Sequence, residues 1–160
     1  MQQREWRSNS LRGFDLNGAG PRDQTFGTPV GGGGMFINNL ELRTPPVALP
    51  YIGDTLSFVF FEDAGNVFND PADIPHSFVQ ISQGHAADCR NISLPQDQNR
   101  CGFNYLSHAI GAGIRYRTPI GPVRIDVGYN LNPPTFPRYS IPDVHTLPRI
   151  NFSFSIGQTF

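Results

Sequence analysis

Apolar side chains recur at every second position through five stretches of this chain. In the last stretch Ile150, Phe152, Phe154, Ile156 and Phe160 share a face with Gln158, and Asn151, Ser153, Ser155, Gly157 and Thr159 share the other. Val123, Ile125, Val127, Tyr129 and Leu131 alternate with Arg124, Asp126, Gly128, Asn130 and Asn132. Ile110, Ala112, Ile114 and Tyr116 alternate with Gly111, Gly113, Arg115 and Arg117. Leu56, Phe58 and Phe60 alternate with Ser57, Val59, Phe61 and Asp63, and Phe36, Asn38, Leu40 and Leu42 with Ile37, Asn39, Glu41 and Arg43. A period of two sends successive side chains to opposite faces of a strand. Helical spacing is nearly absent. The pattern predicts an all-β chain of about five antiparallel strands, each of roughly nine to twelve residues, the length that a tilted membrane-crossing strand needs.

The connections alternate in length. Residues 44–54 and 118–122 make short turns, whereas 69–107 and 132–148 make long loops. Pro71, Pro75, Pro95, Pro133, Pro134 and Pro137 all fall in the long loops, where proline costs no ladder hydrogen bond. Short turns at one end and long loops at the other are the pattern of outer-membrane barrels. A soluble sheet would carry many charges on its polar face. Here the polar faces hold Gly, Ser, Asn and a few charges able to pair, and Tyr116, Tyr129 and Phe160 sit near strand ends as an interfacial girdle would. The reading is therefore the C-terminal strands of a transmembrane β-barrel, incomplete as given. Glu62 falls on the lipid side by parity, so it must lie at the aqueous margin or the strand must bulge.

Composition narrows the function. Charged residues make up 16% of the 160, well below the roughly 25% of an average soluble domain. Net charge is −1, which argues against a nucleic-acid partner. All twelve basic residues are Arg, so a phosphate loop ending in Gly-Lys and a Schiff-base lysine are both excluded. His76, His85, His108 and His145 are scattered without metal-ligand spacing, and no enzyme and no cofactor are expected. The polar start, Met1 to Arg7, lacks the apolar core of an export signal, and no apolar run is long enough for a membrane helix. Cys89 and Cys101 lie in a polar, turn-rich stretch and read as one disulfide stapling the 69–107 loop, worth about 3 kcal/mol by chain entropy. The alternative is two unrelated thiols. An oxidised loop without an export signal fits the C-terminal part of a longer chain.

Several motifs, in order, resemble the BamA/TamA-like outer-membrane assembly family, also called the bacterial surface antigen family. Ser10-Leu11-Arg12-Gly13-Phe14 resembles the family's RGF loop motif, and Gly20-Pro21-Arg22-Asp23 the motif that follows it. Pro29-Val30-Gly31-Gly32 and Leu40-Glu41-Leu42-Arg43 are similar to the start and body of the next strand. Phe61-Glu62-Asp63-Ala64-Gly65-Asn66-Val67-Phe68 resembles its FxDAGNV strand, Thr118-Pro119-Ile120-Gly121-Pro122 its tight turn, and Phe152 to Phe160 its terminal strand. Where members often carry Gly-Gly before the RGF motif, this chain has Trp6-Arg7-Ser8-Asn9.

The resemblance implies a sixteen-stranded barrel preceded by periplasmic POTRA domains. In that frame residues 1–34 are a long extracellular loop carrying the Leu11-Arg12-Gly13-Phe14 motif. Residues 35–160 are the last five strands. The loop is expected to fold back into the lumen and dock Arg12 on an acidic inner wall. Alternation supplies that wall: Glu41 and Asp63 both point inward on adjacent strands, and Phe61 lies beside them to stack on the guanidinium. Arg115, Arg117, Arg124 and Asp126 also face inward and are expected to form cross-strand pairs. The terminal strand, with Ile150, Phe152, Phe154, Ile156 and Phe160, is expected to form one side of a lateral gate that pairs with client strands.

The function so implied is insertion of β-barrel proteins into the bacterial outer membrane. The expected partners are outer-membrane lipid, unfolded barrel clients, and assembly-complex subunits reached through the periplasmic domains. A related secretion pore is the alternative, and a soluble β-sandwich binding module a remote one.

Overall fold

The computed structural model describes residues 11–14, 18–23, 28–50, 53–84, 102–119, 121–138 and 143–157. Its alternating segments form one antiparallel meander. The long strands are β1 (Gly34–Arg43), β3 (Gly53–Phe68), β4 (Ser107–Thr118), β5 (Gly121–Asn130) and β8 (Ile150–Ile156), hydrogen-bonded in that order. A short β2 (Val47–Leu49) adds to the near end of β3, and β6 (Thr135–Arg138) pairs with β7 (Asp143–Thr146) as a separate hairpin. The chain thus has the five long strands that alternation predicts, in an all-β piece of an incomplete barrel. Among the described residues no helix is long and apolar enough to cross a membrane. That says nothing against crossing by strands.

Register aligns side chains into rows across the sheet. On the outer face Leu42, Phe60, Ala112, Val127 and Phe152 share one row, and Phe58, Ile114, Ile125 and Phe154 the next. These residues are β-branched, aromatic or aliphatic, as a pleated sheet in an apolar medium favours. They are also exposed: Phe152 at 78%, Leu42 at 69% and Phe154 at 63%. A soluble sheet would bury such a face, so this one is built to meet lipid. Tyr116 and Tyr129 stand on it near opposite ends of their strands.

Glu62 lies on the outer face in unbroken register with Leu40 and Ile110, so β3 does not bulge there. It shares a row with Tyr129, near the long-loop end. Its Oε1 is 2.9 Å from His108 Nδ1, one row further out. The carboxylate therefore sits at the margin of the apolar band with a partner of its own.

At the short end, Thr118 pairs with Gly121 across a two-residue turn, and Gly121 takes a positive φ of 129°. At the other end the long loops are tied together. Asn132 donates to the carbonyls of Ile81 and Leu106 at 2.7 and 2.9 Å and accepts from the His108 amide at 2.7 Å. Gln83 and the Thr135 backbone exchange two bonds, each of 2.7 Å. A 3₁₀ turn at Pro71–Asp73 leads into a one-turn helix, α1 (Ile74–Ser77). Cys89, Cys101 and Phe160 lie outside the described residues, and with them the disulfide pairing and the end of the terminal strand.

Two lengths differ from expectation. Strand β3 reaches 16 residues because it continues through Ala64-Gly65-Asn66-Val67-Phe68. That stretch does not alternate, being buried on both faces. Within the described residues strand β8 spans seven residues, followed by a bend at Gly157, whose φ is 89°.

Candidate functional site: a docked loop on the inner wall

The inner face of the sheet carries the residues that alternation set opposite the apolar rows. Glu41, Phe61, Gly111, Gly128 and Asn151 form one row from β1 to β8, and Asn39, Asp63, Ala109 and Asn130 form the row beside it. Residues 11–14 lie on these two rows.

Arg12 is held by both its backbone and its side chain. Its amide donates to Asp63 Oδ2 at 2.7 Å. Nε donates to the same oxygen at 3.0 Å and Nη2 to Oδ1 at 2.9 Å, a two-pronged grip on one carboxylate. Nη1 donates to Glu41 Oε2. The guanidinium carbon lies 3.9 Å from the centre of the Phe61 ring, in stacking range. Asp63 is fully buried, and the Arg12 side chain is 14% exposed. Burial alone would lower the Arg12 pKa. The hydrogen bonds and charges of Asp63 and Glu41 outweigh burial and raise it, so the group stays cationic. Charge-assisted forks of this kind need a planar guanidinium, which Lys lacks.

The acidic wall is shared. Glu41 Oε1 also accepts from Arg43 Nε, and Arg115 Nη2 is 3.7 Å from Glu41 Oε2. Arg115 Nη1 bonds Asp126 Oδ1. Asp126 thus pairs with the diagonal Arg115 and not with Arg124, its near neighbour on β5. No ion pair joins Arg117 or Arg124 to a carboxylate among the described residues, so only half of the expected cross-strand pairing forms.

The residues flanking Arg12 are apolar and buried. Leu11 and Phe14 form a small core with Ala109, against which Ala19 and Ile37 pack. A Cβ on Gly65 would come within 2.9 Å of Leu11 Cδ1. Gly13 has φ +84°, which an L side chain rarely adopts, and a Cβ there would lie 2.7 Å from Ala109 Cβ. Gly128 faces Gly13 backbone to backbone, and Gly111 leaves the space that the Phe61 ring occupies. On the far side of the loop tip, Asn151 Nδ2 donates to the Gly13 carbonyl at 2.8 Å.

Residues 21–23 and 28–30 run side by side and antiparallel. Val30 donates to the Pro21 carbonyl at 3.1 Å and Asp23 to the Thr28 carbonyl at 2.8 Å. The Gly20-Pro21-Arg22-Asp23 motif thus pairs with the segment that leads into β1, with Gly20 beside Val67.

The structure therefore brings Arg12 together with Glu41, Asp63 and Phe61. It places Ile150, Phe152, Phe154 and Ile156 elsewhere, all exposed on the outer face of β8. Gly111, Gly128 and Asn151 belong to the docking surface although nothing in the sequence motifs singles them out. The available signal was two glycines at inward positions of neighbouring strands, which leaves a trough where side chains would otherwise stand.

Against known proteins, the Omp85 superfamily domain matches residues 8–160. The chain is similar to a protein of Neorickettsia risticii (strain Illinois) described as outer membrane protein assembly factor BamA. The two are 27% identical over 123 residues, which is 77% of this chain and 13% of that protein. The chain thus spans a small fraction of the length of the curated relative that it matches.

Proposed function

This chain belongs to the Omp85 superfamily of outer-membrane proteins, and on that premise we propose that it is the C-terminal barrel portion of an assembly factor. In this reading it inserts β-barrel proteins through a lateral gate bounded by β8, without enzymatic chemistry. The observation that carries the proposal is the placement of β8. It closes the order β1-β3-β4-β5-β8, pairs with β5 along one edge, and exposes an apolar outer face.

The far edge of such a strand offers a row of backbone donors and acceptors. In a closed barrel that edge pairs with the first strand. An incoming client strand can replace that partner by β-augmentation, with the backbone supplying affinity and little sequence preference. Over the described residues β8 has seven residues and seven pairs with β5, against ten pairs between β4 and β5. That suits a seam that opens. Docking of Arg12 on Glu41 and Asp63 braces the β1–β3 side of the same wall. Periplasmic domains elsewhere in the full protein would deliver clients and bind the other subunits.

The test uses the full-length protein in liposomes, with a photo-crosslinking residue at Ser153 or Ser155 of β8 and at Ile125 of β5 as control. With an unfolded barrel protein supplied, adducts to client strands should form from β8 and not from β5. Insertion of the client should accompany them. A folded, membrane-inserted protein that moves a client across the bilayer without inserting it would assign a secretion pore instead.

A further inference from the structure

Arg12 and Gly13 are adjacent in sequence, yet their polar contacts reach opposite ends of the sheet. Arg12 bonds Glu41 on β1 and Asp63 on β3. Gly13 lies over Ala109 on β4 and Gly128 on β5, and its carbonyl accepts from Asn151 on β8. Two residues therefore contact all five long strands. Nothing in the ladder itself links β1 to β8, because three strands separate them.

We infer that Asn151 is a positioning residue that ties the terminal strand to the docked loop, so that loop docking and the place of β8 are one coupled equilibrium. First, Asn151 is the second residue of β8 and faces inward, opposite Gly128. Its Nδ2 reaches the Gly13 carbonyl at 2.8 Å and the Pro148 carbonyl, in the connection leading into β8, at 3.3 Å. One amide thus holds the start of the strand from two sides. Second, the carbonyl that it meets cannot drift. Gly13 is held by contact with Ala109 and Gly128 and by the grip on its neighbour Arg12. Third, the other inward residues of β8, Ser153 and Ser155, have no contact with residues 11–14 among the described hydrogen bonds. The coupling therefore passes through a single side chain at the long-loop end of the strand.

Coupling of this kind is reciprocal. If β8 swings away at that end, the Gly13 bond breaks and the loop loses one of its anchors. If the loop leaves, β8 loses its only described polar tie to the inner wall beyond the β5 ladder. The inference deepens the gate reading and rests on it for its meaning, but the tie can be measured without any insertion assay.

Hydrogen exchange on the full-length protein in nanodiscs makes that measurement. Asn151→Asp keeps the shape and removes the donor. It should raise exchange about fivefold both in residues 11–14 and in residues 150–156, the factor that one neutral hydrogen bond contributes. Asn151→Gln keeps a donor and should recover part of the protection. Ser153→Ala should leave residues 11–14 unchanged. Reciprocally, Arg12→Ala should raise exchange in residues 150–156. Faster exchange confined to the mutated segment in both directions would overturn the inference, and should Asn151→Asp fail to fold, the Arg12→Ala and Asn151→Gln arms decide it. Coupled exchange together with unchanged client insertion would leave the tie standing and remove the gate.

Discussion

Gly13 and Gly128 meet with no side chain between them: a Cβ on Gly128 would lie 2.6 Å from the Gly13 amide nitrogen and 3.2 Å from the Arg12 carbonyl carbon. The loop tip thus lies on bare backbone. The neighbouring atoms are main chain on both sides, so they cannot rotate away as a flexible side chain would.

Gly128→Ala is therefore expected to undock the loop, with a cost in the range of overpacked cores, about 1–3 kcal/mol. Limited proteolysis of the full-length protein should cut near residues 11–14 faster than in wild type. Unchanged cleavage and unchanged melting would show that the backbone contact is not limiting.

Arg12→Ala leaves Asp63 buried without its fork, and breaking such a pair by removing one member costs about 3–5 kcal/mol. Arg12→Lys should recover less than half, since an ammonium cannot bond Asp63 and Glu41 in the same plane or stack on Phe61 as a guanidinium does. Thermal unfolding of the full-length wild type and the two variants orders the three proteins. Equal stability of the Arg12→Lys and Arg12→Ala variants would make fork geometry essential, while full rescue by Arg12→Lys would reduce the site to a point charge.

Tyr105 supplies a pH test outside the spanning strands. Burial pushes its hydroxyl pKa up, against a hydrogen bond with Ser107 and the positive charge of Arg22. The neutral form is the one that the fold prefers. Its contribution is fully present below the unfolded value of about 10 and is lost as pH rises toward the folded value. Alkaline titration followed by melting should show the wild-type protein losing stability above about pH 10, and Tyr105→Phe should flatten that loss. An identical slope in both proteins would assign the alkaline transition elsewhere.

Glu62 and His108 predict an asymmetry on the outer face. Removing the partner with His108→Leu should destabilise the barrel by up to about 1 kcal/mol, because a carboxylate is left at the edge of the apolar band. Replacing both residues with Leu should restore stability to near wild type, as polar pairs exchanged for apolar ones of similar volume often do. Additive losses in the double variant would contradict this pairing.

Alternation along the chain was enough to place Glu41, Phe61 and Asp63 on one wall, because each is a side chain and parity decides its face. It could not show Gly111, Gly128 or Asn151 as docking residues. The first two act through missing side chains, and the third binds a carbonyl far away in sequence. The extension of β3 was hidden for a related reason. Where loops cover both faces, as at Asn66 and Val67, no polar side remains and the period of two vanishes. The β6–β7 hairpin was illegible because Pro133, Pro134 and Pro137 read as loop. Pro133 and Pro134 precede β6, and Pro137 stands within it opposite Val144, which a two-stranded ribbon tolerates because both of its strands are edges.

The ion cluster around the loop tip has a further consequence. Arg12, Arg43 and Arg115 stand against Glu41, Asp63 and Asp126, three cations to three anions. With the loop in place these six charges balance, and Arg124 stands on the same face opposite Arg115. Withdrawing Arg12 leaves Asp63 without its counter-charge, in a space that the departing loop has opened to water. The vacated wall then attracts small cations and, above all, the guanidinium that left it. Loop position should accordingly be readable as an electrical quantity: single-channel recordings ought to show cation preference rising in the undocked state, and the same field gives the loop a restoring pull toward its seat.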